Sequence, residues 1–102
     1  MKLGIFGINM GPCSTPEASV RVAQVAEAAG FESVWAGEHV VLPDPQEPPS
    51  PLPSTYPMLD PNIDFAFLAG QTKTIRMGTG IIILPQRNPL VLAKEMASLD
   101  VL

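Results

Sequence analysis

Ser33–Pro45 reads SVWAGEHVVLPDP. It opens as a strand, Ser33 to Ala36, then meets Glu38 and His39 and breaks into prolines. His39 is the only histidine in the chain. A buried strand that ends on an acid and an imidazole, rather than on a plain turn, places chemistry at its carboxyl end. In parallel α/β sheets, active sites collect at that end.

Outward from this strand the pattern is regular. Lys2–Asn9, KLGIFGIN, does not alternate cleanly and predicts a strand buried on both faces. Pro16–Ala29 predicts a helix with Thr15 as cap, Pro16 in the first turn and Gly30 as stop. Its apolar side holds Val20, Ala23, Val25, Ala26 and Ala29. Residues 43–61 are dense in proline, which removes backbone donors and fixes φ, so they form an excursion loop. DPNIDFAFLAGQT predicts a second helix capped by Asp60, with an apolar stripe of Ile63, Phe67 and Leu68. IRMGTGIIILP predicts a third strand, and NPLVLAKEMASLDVL a helix capped by Asn88. The order βαβαβα implies parallel strands with right-handed helical crossovers.

Three such units do not close. A (β/α)8 barrel needs roughly 250 residues, whereas this chain has 102. Its last helix runs to Leu102 without a stop signal. The expectation is an α/β fold that is the first three βα units of a barrel, a fragment whose free strand edges favour self-association.

Composition narrows the function. A net charge of −4 and six Lys and Arg in scattered positions argue against a nucleic-acid partner. No apolar run approaches the roughly 18 residues of a membrane span, and the N-terminus carries no convincing cleavage site. A cytoplasmic protein with a small-molecule substrate is expected. A single cysteine, Cys13, excludes an internal disulfide and reads as a loop residue. No metal-ligand spacing is present, so no metal is expected.

The strand-end rule brings together Asn9 from the first strand, Glu38 and His39 from the second, and Pro85–Asn88 from the third. His39 can donate to a substrate oxygen or an anionic ring, and an imidazole can serve as acid or base; otherwise it is a surface or loop-anchoring histidine. Glu38 either orients that imidazole or faces the helices and bonds a loop backbone. Trp35 either walls the pocket or fills the core. Gly78 and Gly80 mark a bulge, a close approach of backbone or flat ligand, or a tight packing spot. The Ile81–Ile83 run can supply an apolar wall. No G-x-G-x-x-G is present, so a Rossmann phosphate loop is not indicated.

GFESVWAGEHVVLP, IRMGTGIIILPQRNPLVLAKEMASLDVL and KLGIFGIN together resemble the bacterial luciferase-like superfamily, its F420-dependent members most closely. The resemblance covers nearly the whole chain. It implies a (β/α)8 barrel and an oxidoreductase that transfers a hydride or activates oxygen through FMN or coenzyme F420. It also implies a catalytic His39 beside the reactive ring. A non-prolyl cis bulge backing the ring would fall at Gly80–Ile81. The candidate cofactor contacts are Asn9, Glu38, His39, Gly80 and Ile81, and a homo-oligomer is expected. Two other readings compete: a non-catalytic fragment that self-associates, and a barrel hydrolase using His39 and Glu38.

Overall fold

The computed structural model describes residues 1–102. Three parallel strands, β1 (Gly4–Phe6), β2 (Ser33–Ala36) and β3 (Arg76–Thr79), form one sheet in the order β1-β2-β3. Helices α1 (Pro16–Ala28), α2 (Pro61–Ala69) and α3 (Pro89–Val101) alternate with them. Phe6 pairs with Trp35, and Trp35 with Gly78. No helix is long and apolar enough to cross a membrane.

All three helices start as their sequences predict. Thr15 accepts from the Ala18 N–H, Asp60 from Asn62 and Ile63, and Asn88 from Leu90 and Val91. Each cap satisfies donors that the first turn leaves orphaned, and each is followed by proline, whose missing N–H costs nothing there.

The core lies on one side of the sheet only. Successive strand residues point to opposite faces. Val34 and Ala36 are fully buried against the helices, with Ile8, Ala23, Phe65 and Leu68. Burying side chains the size of Phe65 and Leu68 stabilises the fold by about 1.5–3 kcal/mol each. Trp35, between Val34 and Ala36, points the other way and is 40% exposed; Phe6 beside it is 63% exposed. This second face, which would look into a barrel, is bare.

Several expectations are corrected. The first strand is three residues long and is not buried on both faces, because nothing in the chain covers Phe6. Helix α2 is rotated from its expected orientation: Phe65 and Leu68 face inward, while Ile63 and Phe67 are exposed. The helix is apolar almost all round, so hydrophobicity does not choose a face. Its polar residues do, since Asp64 bonds Ser19 on α1 and Asn62 bonds Glu95 on α3. The third strand stops at Thr79, and Ile81–Ile83 bend into a 3-10 turn at Leu84–Gln86. The Gly80–Ile81 bond is trans; the cis bonds are Asp44–Pro45 and Pro48–Pro49. A trans bond is the default for a non-prolyl pair, the cis form costing about 3–4 kcal/mol. Here the chain turns by bonding instead: Gly80 donates to the Ala36 carbonyl and Ile83 to Glu38.

Candidate cofactor-facing rim

The carboxyl ends of the strands are tied to one another by buried side chains. Asn9, just past β1, is fully buried. Its Oδ1 accepts from the Gly37 N–H at 3.1 Å, and its Nδ2 donates to the Gly37 and Leu59 carbonyls at 2.8 and 2.7 Å. It thus clamps the end of β1 to the end of β2 and to the returning proline-rich loop. The same loop is held where the Gly11 N–H donates to Pro57 and the Leu59 N–H to Asn9. Gly11 takes a positive φ of 55°, and a Cβ there would strike the Tyr56 hydroxyl. Glycine is therefore required at that crossing.

Glu38 lies on the helix side of the rim, its side chain 2% exposed. Oε2 accepts from the Ile83 N–H at 2.5 Å. Oε1 accepts from Arg87, through Nε at 2.8 Å and also through Nη2. Arg87 Nη2 reaches on to Asp60 Oδ2 at 2.6 Å. The bond to Glu38 first, and then that to Asp60, holds the Arg87 guanidinium above its ordinary pKa. Glu38 therefore bonds a loop backbone, the second of its two expected roles. Charge-assisted bonds of this kind are about twice as strong as neutral ones.

His39 follows at once and behaves differently. It is exposed and makes no hydrogen bond within the chain. It stands at the start of the proline-rich loop, at the same rim to which that loop returns.

Below the rim lies the bare face. Trp35 lies flat across the sheet, so that a Cβ on Gly4 or Gly78 would meet its indole at 2.8 and 2.9 Å. Its Nε1 donates to Ser33 Oγ. Phe6 lies over Gly37 and Gly80, and a Cβ on Gly80 would overlap its ring. The glycines of the GTG stretch are thus packing spots for the chain's own aromatics. Ile81, just beyond the end of β3, is 66% exposed.

Of the five candidate contacts, the structure brings His39, Gly80 and Ile81 to the accessible rim and face. Asn9 and Glu38 are engaged beneath it. Sequence reasoning missed Phe6, which register alone could have signalled, since it sits beside Trp35; it placed Arg87 at the rim, within Pro85–Asn88, without giving it a role.

A flavin-type ring would fit this surface in its apolar part. The phosphate tail of such a cofactor finds no obvious holder. Lys2 and Arg76 lie at the opposite strand ends and share Glu32. Lys73 precedes β3, and Arg21 and Lys94 lie within helices. Arg87, the one cation following a strand's carboxyl end, is paired twice.

Comparison with known proteins points the same way. The family described as luciferase-like monooxygenase matches residues 1–102. The oxygenase component of the flavin-dependent trigonelline monooxygenase of Acinetobacter baylyi is 30% identical over 83 residues, which are 81% of this chain and 20% of that protein. The alkanal monooxygenase alpha chain of Photorhabdus luminescens is 27% identical, over 98% of this chain and 26% of its own length. The crystal structure of monooxygenase RslO1 from Streptomyces bottropensis superposes with a TM-score of 0.69 at 28% identity, over 98% of this chain and 29% of that one. The chain therefore spans about a fifth to under a third of these proteins. Its parallel α/β layout is that of an arc of their barrel. The chain belongs to the luciferase-like monooxygenase family.

Proposed function

We propose that this chain forms the ring-facing arc of a flavin-dependent oxidoreductase, with FMN the cofactor. The observation that carries this reading is the bare face on which Phe6 and Trp35 are exposed below His39. Large exposed apolar patches on otherwise ordered sheets mark binding surfaces. A flavin is favoured over F420 because the Acinetobacter relative is named as flavin-dependent.

When bound, the flavin supplies the redox chemistry, giving up a hydride equivalent or reacting with oxygen when reduced. The residues of this chain bind and orient. Phe6 and Trp35 present an apolar wall that excludes water from one side of the ring. His39, exposed and free of partners, can donate from a ring nitrogen to an anionic oxygen. Phosphate binding is assigned to regions beyond this arc.

Trp35 is the only tryptophan, so its fluorescence reports on the bare face alone. Titration with FMN is expected to quench it saturably, and Phe6→Ala to weaken the effect several-fold. Purely linear quenching, the same in wild type and variant, would overturn the reading.

A further inference from the structure

The rim also contains a device that the cofactor reading does not use. Three segments meet at one ion cluster: the end of β2 through Glu38, the turn after β3 through Ile83 and Arg87, and the exit of the proline-rich loop through Asp60. Both oxygens of Asp60 are in use. Oδ1 caps α2, and Oδ2 meets Arg87. Both oxygens of Glu38 are in use as well, and its next residue in the chain is His39.

We infer that Arg87 is a positioning residue, a latch that fixes the exit of the proline-rich loop relative to the backbone carrying His39. This inference rests on the proposed role of His39 at the ring and adds what sets its place. The loop's own ordering is local. Between Val40 and Thr55 its bonds run only within the loop, as from the Ser50 N–H to the Glu47 carbonyl and from Gln46 to the Ser50 carbonyl. Its firm attachments lie at its exit, at Asn9 and Gly11, through Leu59 and Pro57, and at Arg87. Displacing the exit pulls on Asp60, and Arg87 passes the displacement to Glu38 and so to His39 and the Ile83 turn. A planar guanidinium suits this task, since it bridges two carboxylates with separate donors, which a lysine point charge does not do as well. Glu38 and Arg87 are largely buried, while Asp60 is 41% exposed; buried ionic groups are best attested as devices that fix one register among several, and the Glu38–Arg87 pair is the buried anchor to which Asp60 is tied.

Two substitutions test it in the full chain. Arg87→Gln removes both bridges. Asp60→Asn is gentler, because asparagine caps a helix as well as aspartate while the bridge to Arg87 is lost. His39 is the only histidine, so its imidazole signals in an NMR spectrum are unambiguous. Both variants are expected to shift those signals and to speed exchange of the Ile83 amide about tenfold or more, with helix content retained in Asp60→Asn. Unchanged His39 signals and unchanged Ile83 exchange in Asp60→Asn would overturn the latch. None of these readouts needs FMN. Failure of FMN to bind the wild type would therefore count against the proposed function and leave the latch to stand or fall by its own result.

Discussion

Asp64 sits in the packed seam between α1 and α2, 2% exposed. Its Oδ1 accepts from the Ser19 hydroxyl at 3.0 Å, and its Oδ2 has no partner. Burial pushes its pKa up, opposed only in part by the Ser19 bond. Asp64→Asn keeps an oxygen for Ser19 and removes the charge. An unsatisfied buried polar group costs about 1–3 kcal/mol, and more when charged. The amide's own unpaired N–H returns part of that cost, so the net gain near neutral pH is about 1 kcal/mol. In a domain of this size that is about 4–8 °C in Tm. The sign follows from linkage. With its folded pKa raised, Asp64 holds its proton in the folded state after the unfolded chain has lost its own. Stability is thus highest below the unfolded value and falls as pH rises through the folded one. The variant should melt higher at pH 7, and the difference should vanish near pH 3, where wild-type Asp64 is neutral too. Thermal melts followed by far-UV circular dichroism at both pH values decide it. An equal difference at the two pH values, or a less stable variant at pH 7, would show that the buried charge carries no such cost.

Other perturbations probe other contacts. Glu27 Oε1 accepts from the backbone N–H groups of Lys73, Thr74 and Ile75, and these bonds lower its pKa to about 2. Its contribution is present above its ordinary value of 4.5 and is lost as pH falls toward about 2; Glu27→Gln should flatten that part of the stability-against-pH curve. Gly78→Ala would put a Cβ 2.9 Å from the Trp35 ring; overpacking of this kind costs about 1–3 kcal/mol, and lifting of the indole should red-shift Trp35 emission. Asn9→Ala removes three bonds at a fully buried site and should destabilise by about 2–4 kcal/mol, measured by urea unfolding. The bare face should support association at high concentration, with Phe6→Lys reducing the sedimenting mass.

The alternation of elements, the three helix starts and the parallel sense of the strands were legible because each has a local cause. Thr15, Asp60 and Asn88 cap through their own first turns, and no distant residue is needed to form those bonds. The orientation of α2 was not legible. Ile63 and Phe67 look as suited to a core as Phe65 and Leu68, and the choice rests on Ser19 and Glu95, which are 45 and 33 residues distant from their partners. Glu38 and His39 were recognisable as a rim pair, but their division of labour was not. Glu38 finds its partners 45 and 49 residues along the chain, at Ile83 and Arg87; the strand-end rule brings Pro85–Asn88 to the same rim but does not say which side chains pair there. The end of β3 was hidden for the same reason: Ile81–Ile83 are good strand formers, and it is the Glu38 carboxylate that draws the chain into a turn. Of the roles open to the GTG glycines (a bulge, a close approach of backbone or flat ligand, or a tight packing spot) the packing spot is what the structure shows, and the packed rings, Trp35 and Phe6, come from other strands.

The role given to the bare face turns on where a flavin ring lands. Intermolecular nuclear Overhauser effects between the ring methyls of FMN and the chain, measured at FMN concentrations that saturate the shift of the Trp35 indole N–H, locate it directly. Contacts to Phe6, Trp35 or Ile81 are expected, together with a shift of the His39 imidazole signals. Contacts confined to the outer helices, as to Val20 or Phe67, or a titration in which neither Trp35 nor His39 responds, would rule this face out as the flavin site.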